Sequence, residues 1–244
     1  MQEILETRSH DEKTPLLRQQ RDERLKARKV EIVPMKRSDM ARGANTIHTA
    51  FHTDSLMQYF DDADTAPFLE RRAKFRYYLM FDAGIRQHRQ LTVDAGAAVL
   101  KYQVPGGRED PWVHTYLTNV SRKLFDTREL TKRVTEFAEK TVAAVVDAFG
   151  EKLAEMYEIQ SLGTNPEFQG QGFGSALVTA VTDMADADSR DVWLVTTDAY
   201  AFYEFLGFAT VRSFIVGDAN PTWAKAPITV RVMHRPWKKS IEDV

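Results

Sequence analysis

Apolar positions along the chain recur in two rhythms, and the changes between them mark out the elements. From residue 38 the spacing is three to four: Met40, Ala44, Ile47 and Phe51 predict one helix face, with Ser38 or Asp39 placed to cap it. A second helix is predicted from near Pro67 through Leu69, Ala73, Tyr77 and Met80, with Gly84 as its end. Shorter runs with strand composition are Val30–Pro34, then Leu91–Val93 and Ala97–Tyr102 joined by a tight turn at Asp94-Ala95-Gly96. Residues 108–125 follow neither rhythm clearly. Asp126 with Glu129 resembles a capping box, and behind it Leu130, Val134, Phe137, Thr141 and Val145 share one face of a long helix that Gly150 closes. A strand (Met156–Leu162), a glycine-rich turn and a helix through Ala176, Leu177, Ala180, Val181 and Met184 come next. The strand Val192–Thr196, the helix Tyr200–Leu206 and the strands Thr210–Val216 and Ile228–Met233 complete the pattern.

Strands alternating with helices, and paired by short turns, predict a mixed α/β (α+β) fold with a central sheet covered on both faces. No internal repeat interrupts it. The expected organisation is a folded domain over residues 30–237, between a charged tail at 1–29 and a short tail at 238–244. The first 29 residues hold eight Lys/Arg and six Asp/Glu with few large apolar residues, too little apolar surface to offset the entropy of ordering. Glu12-Lys13-Thr14-Pro15-Leu16-Leu17 within it resembles an acidic dileucine sorting signal, a loose pattern that a solvated tail also produces.

Composition narrows the function classes. With 43% hydrophobic residues the 244-residue chain can bury a sizeable core. A formal net charge of −2 offers no general attraction to nucleic acid or acidic membranes. The absence of cysteine excludes disulfides, thiol nucleophiles and Cys-ligated metals. No apolar run approaches the roughly 18–20 residues of a membrane span, and no basic-then-apolar start suggests a secretory signal, so a cytoplasmic location is expected. His48 and His52 stand four apart on a helix, but with no third ligand in sight no metal site is expected.

The most informative stretch is the strand, turn and helix from Ile159 to Leu177. Gly170, Gly172 and Gly174 stand at alternate positions in Gln169-Gly170-Gln171-Gly172-Phe173-Gly174-Ser175, directly before a helix. Glycines let main chain approach a ligand, and unpaired N–H groups of a first helical turn favour an anion, so this turn suits a phosphate or pyrophosphate. A tight turn of purely structural use would look similar. A Walker loop needs a Gly-Lys-Ser/Thr ending that is missing, and a Rossmann fingerprint needs Gly-x-Gly-x-x-Gly near the first strand.

Gln169-x-x-Gly172-x-Gly174 resembles the Gln/Arg-x-x-Gly-x-Gly/Ala acetyl-CoA signature of the GNAT (GCN5-related) N-acetyltransferase superfamily. Leu162-Gly163-Thr164-Asn165-Pro166 is similar to that family's strand and proline lead-in. Ala201-Phe202-Tyr203-Glu204-Phe205-Leu206-Gly207-Phe208 resembles its later helix ending in Gly-Phe. The resemblance covers residues 157–233 well and 30–102 loosely, and within the superfamily is most similar to puromycin-type and fungal small-molecule N-acetyltransferases. The helix over 126–149 is an extra one before the cofactor-binding strand, suited to shaping the acceptor site or to a homodimer contact.

The resemblance implies direct transfer of an acetyl group from acetyl-CoA to an amine, without an acyl-enzyme. Main chain at Gly170, Gln171, Gly172, Phe173, Gly174 and Ser175 would hold pyrophosphate, and Leu162, Gly163 and Thr164 would pair with the pantetheine arm. Tyr203 would be the general acid toward the leaving thiolate, although aromatic residues of this short helix equally suit the core. Glu158, eleven residues before Gln169 and sharing strand parity with Gln160, Leu162 and Thr164, would be the base, unless it is merely a strand-end carboxylate. Thr196 stands where the family often has Asn. Trp223 and the Gly217–Pro227 loop are placed to cover a substrate pocket. A small-molecule amine is the expected acceptor; protein lysine or N-terminal acetylation, or a non-catalytic acyl-CoA sensor, are the alternatives.

Overall fold

A computed structural model describes residues 30–107 and 112–239. The dileucine-like sequence and the two tails up to residue 29 and from 240 lie outside the described residues. Seven strands form one sheet: β1 (Ile32–Pro34), β2 (Gln90–Val93), β3 (Ala98–Gln103), β4 (Tyr157–Thr164), β5 (Val192–Thr196), β6 (Ala209–Val216) and β7 (Ile228–Arg235). Their order is β1-β2-β3-β4-β5-β7-β6. Only β4 and β5 run parallel; every other neighbouring pair is antiparallel. The helices are α1 (Met40–Phe51), α2 (Ser55–Ala63), α3 (Leu69–Arg86), α4 (Trp112–Phe125), α5 (Arg128–Phe149), α6 (Phe173–Ala187) and α7 (Tyr200–Phe205).

The sheet separates its apolar residues by strand parity. Ala98, Leu100 and Tyr102 of β3 join Ile159, Leu194 and Met233 beneath α6, through its buried Phe173, Leu177, Val178 and Val181. Val99 faces the other way, onto Ala44 and Ile47 of α1 and Phe81 of α3. Farther along that face, Val216, Ile228 and Val230 meet Leu56 and Tyr59 of α2, Phe137 of α5 and Trp223. This is the mixed sheet with helices on both faces that the sequence pattern predicts, including the helix inserted ahead of β4.

Several local expectations need correction. The segment without a clear period contains α4, and α2 is a helix the sequence reading did not predict. Asp54, not a residue of the predicted helices, caps α2 by accepting from the Leu56 and Met57 amides at 3.0 Å. Helix α3 starts at Leu69 rather than near Pro67, and runs through Gly84 to Arg86, because Gly84 is a contact position: a Cβ there would lie 2.9 Å from the Gln90 side chain. The cap of α5 is Thr127, whose Oγ1 accepts from the Leu130 amide at 3.0 Å. Asp126 plays no capping part, and Glu129 instead joins a network with Arg133, Asn220 and Thr222.

That network ties the long helix to the β6–β7 loop. Arg133, its side chain only 1% exposed, donates to Glu129 and Asp62 at 2.9 Å, to the Tyr59 carbonyl at 2.6 Å and to the Thr222 hydroxyl at 3.0 Å. Its guanidinium also lies over the rings of Tyr59 and Trp223. A buried cation with this many acceptors is costly to break, which makes the loop's position a property of α2 and α5.

Candidate acyl-transfer site

Strands β4 and β5 pair only at Tyr157–Ile159 against Val192–Leu194, and then part. From residue 160 to 164 the edge of β4 that faces β5 has no strand partner, while its other edge stays paired with β3. The register slips between Lys101 and Tyr102, which face Ser161 and Ile159, so Gln160 is an extra residue in β4. Such a bulge bends the strand and reverses its parity beyond that point. Ile159 packs under α6, yet so does Leu162, while Gly163 faces α1. Gly163 is required there for space: a Cβ would come within 2.7 Å of Ile47 Cδ1.

The β4 strand leads into a turn capped by Asn165, whose side chain accepts from the Glu167 amide at 3.0 Å with Pro166 behind it. Gln169 Nε2 donates back to the Thr164 carbonyl at 3.2 Å, closing the loop on the end of its own strand. Helix α6 begins at Phe173, with Gly172 as N-cap at φ 79° and ψ 4°. No main-chain or side-chain acceptor among the described residues takes the N–H groups of Gly170, Gln171, Gly172, Gly174 or Ser175. A Cβ on Gly172 would meet nothing within 4 Å, so the space in front of these donors is open. Phe173 is 2% exposed and stacks on Phe168, anchoring the loop to the core.

Loop, strand edge and α7 converge on a cavity of about 730 Å³. Its wall includes Leu162, Gly163, Thr164, Gln169, Gly170, Gly172, Phe173, Gly174, Ser175 and Tyr203. Of the residues expected from the sequence, Gln171 and Glu158 are outside that wall. Free amide donors at the start of a fifteen-residue helix, beside an unpaired strand edge, suit a ligand with a phosphate end and an amide-bearing arm.

Tyr203 is 7% exposed, in edge contact with Phe202 and Phe208, and burial alone pushes its phenol well above the usual tyrosine range. It is therefore both core and cavity wall, and it keeps its proton through the physiological range. Glu158 sits in the last paired stretch of β4, opposite Gln103 and Trp193. The bulge at Gln160 places it on the opposite face from Leu162 and Thr164, contrary to the shared parity expected. Burial raises its carboxyl, against the Gln160 hydrogen bond at 3.0 Å and the charge of Lys101.

Other wall residues were not legible beforehand. The α1–α2 turn brings Thr53 and Asp54 to the cavity, and the β5–α7 turn brings Asp198. The two turns are latched together: Thr197 Oγ1 donates to Asp54 at 2.6 Å, and the Ser55 amide and hydroxyl both donate to Asp198 at 2.8 Å. The N-cap pattern of Asp54-Ser55 ahead of Leu56, Tyr59 and Phe60 was the available signal. Thr196 lines neither this cavity nor its neighbour. His48 and His52 belong to no group of three or more potential ligands among the described residues.

Residues 133–210, the stretch holding the glycine turn, the strand pair and α7, match the family model described as Acetyltransferase (GNAT) domain. Over this stretch the chain is similar to GNAT acetyltransferase domains. Solved structures with the same fold include arylalkylamine N-acetyltransferase 2 from Aedes aegypti, at 12% identity and TM-score 0.58, covering 86% of this chain and 100% of that one. A polyamine N-acetyltransferase from Drosophila melanogaster, described as forming N-acetylagmatine, matches at 12% identity and TM-score 0.56 over 85% and 100%. A structure described as a histone acetyltransferase and related acetyltransferase, from Corynebacterium glutamicum, matches at 15% identity and TM-score 0.52 over 88% and 99%. At these identities the likeness is one of GNAT fold. No curated protein matches the sequence, and no helix among the described residues is long and apolar enough to cross a membrane.

Proposed function

We propose that this GNAT-like domain transfers an acetyl group from acetyl-CoA to the amine of a small molecule, by direct attack and without an acyl-enzyme. The observation that carries the proposal is the single cavity in which free amide donors, an unpaired strand edge and a protonated buried phenol meet. Acetyl-CoA supplies the activated thioester when bound. The N–H groups at Gly170, Gln171, Gly172, Gly174 and Ser175 hold its pyrophosphate, aided by the dipole of α6. The free edge of β4 at Leu162–Thr164 pairs with the pantetheine amides as an added strand would.

Direct attack forms a C–N bond, breaks the C–S bond and requires one proton to leave nitrogen while another reaches sulfur. The Tyr203 hydroxyl serves the sulfur: burial keeps it neutral, and no hydrogen-bond partner among the described residues competes for its proton. The nitrogen's proton passes through water toward Glu158 at the base of the strand fork, where a raised carboxyl pKa brings the group nearer the operating pH. The wall holds no thiol, since the chain has no cysteine, which agrees with a mechanism that needs no covalent carrier.

The test is release of free thiol from acetyl-CoA by purified protein against a panel of amines, with calorimetry of acetyl-CoA alone. Micromolar binding and amine-dependent thiol release are expected. Binding without release for any amine would leave an acyl-CoA sensor as the surviving function.

A further inference from the structure

Next to the acyl-transfer cavity lies a second one of about 370 Å³, within the usual size of a small-molecule site. Asp198 belongs to the walls of both. The far side of the second cavity is built by the β6–β7 loop and β7, with Trp223, Lys225 and Arg231. Its position is held by the buried Arg133 network, and Trp223 Nε1 donates to the Ala226 carbonyl at 3.0 Å. The pocket is therefore a preformed part of the fold.

Its charged lining is Arg231, Lys225 and Asp198. Arg231 lies 4.0 Å over the Tyr200 ring and donates through one nitrogen to the Thr197 carbonyl at 3.2 Å. Lys225 donates to the Gln58 side chain at 3.0 Å and lies over the Trp223 ring. Neither cation has a carboxylate partner among the described residues, whereas Arg72, Arg133, Arg190, Arg212 and Arg235 all do. Arg231 keeps guanidinium donors uncommitted, in the planar fork that matches a carboxylate. Asp198, next in the chain to the Thr197 whose carbonyl Arg231 holds, is the one carboxylate among the residues lining the pocket and also lines the acyl-transfer cavity.

We infer that this second cavity is the acceptor subsite and that it takes an amine carrying a carboxylate, such as a free amino acid. Arg231, with Lys225 beside it, receives the carboxylate. Asp198 receives the ammonium at the opening into the acyl-transfer cavity, so the nitrogen faces the thioester once its proton has left. A plain alkylamine would leave Arg231, half-buried in this pocket, without a carboxylate to receive. This assignment rests on the acetyltransferase function and names its substrate class.

The test is binding of matched pairs that differ only in the α-carboxylate, tyrosine against tyramine and leucine against isopentylamine, to the full-length protein with coenzyme A present. In at least one pair the amino acid is expected to bind ten- to a hundred-fold tighter, as for a hydrogen-bonded charge. That ratio is expected to collapse toward one in Arg231→Gln, and to fall less in Lys225→Gln, an exposed position where the fold is not at stake. Equal or tighter binding of the amines, no binding of either member of each pair, or a ratio that survives Arg231→Gln in folded protein overturns the inference. Preference for an amine bearing phosphate over its carboxylate counterpart overturns it too. Thiol release with plain amines and no carboxylate preference would sink the inference alone. A carboxylate preference in binding with no thiol release would sink the acetyltransferase function and leave the pocket assignment standing.

Discussion

Replacing Gly172 by alanine and by aspartate separates the conformational cost of the glycine turn from its role toward an anion. Gly172 is at φ 79°, where a residue with a Cβ is disfavoured by roughly 1–2 kcal/mol. Nothing lies within 4 Å of the added Cβ, so no packing term is expected on top of that. Both variants should therefore lose about the same stability, which for a chain of this length lowers Tm by roughly 2–8 °C. Affinity for acetyl-CoA should divide them. Alanine pushes a methyl group into the space in front of the free amides, and a loss of about tenfold is expected, in the range of one impaired charged hydrogen bond. Aspartate adds a negative charge facing another at about 4 Å, worth on the order of 4 kcal/mol at an effective dielectric of 20, or roughly a thousandfold. Calorimetry with acetyl-CoA and a thermal melt on each variant measure both quantities. A folded Gly172→Asp protein with parental affinity would refute the placement of pyrophosphate on this turn.

Tyr203→Phe keeps the ring among Phe202 and Phe208 but removes the proton donor, so turnover is expected to fall roughly 10²-fold or more with acetyl-CoA affinity nearly unchanged; parental kcat would remove the acid role. Burial raises the carboxyl of Glu158, so the stability tied to its proton is present below the ordinary carboxylate pKa and lost as pH rises through the raised value. Glu158→Gln should thus be at least as stable as the parent at neutral pH, while turnover falls and its acidic limb flattens; an unchanged limb would move the base elsewhere. Arg133→Met strands Glu129, Asp62 and the Tyr59 carbonyl, and should cost about 3–5 kcal/mol, read as a Tm lower by roughly 6–20 °C. Glu129 is held down to about 2 by hydrogen bonds from Thr222, Asn220 and Arg133, so stability is lost as pH falls from 4.5 toward 2 and an acid titration of Glu129→Gln should lose that component.

The sequence by itself determined the elements whose signals are local. The glycine turn is legible because three glycines at alternate positions directly before a helix form a local pattern that leaves main chain open. Strand β5 is recovered residue for residue from Val192 to Thr196, since a continuous apolar run between polar breaks leaves one assignment. Tyr203 follows from the aromatic helix that ends in Gly207-Phe208. What only the tertiary structure decided involves partners distant in sequence. Helix α2 is only nine residues long and packs Tyr59 against Trp223, a contact distant in sequence that a short window does not see, although its Asp54 cap is local. The bulge at Gln160 is a property of two strands in register, so the face of Glu158 could not be read from its own strand. The latch of Asp54 to Thr197 and of Ser55 to Asp198 spans 143 residues in each case, and it creates the wall between the two cavities. The charge of the second cavity was hidden for the same reason: Lys225 and Arg231 are ordinary surface-type residues in sequence, and only the fold brings them into one pocket with Asp198.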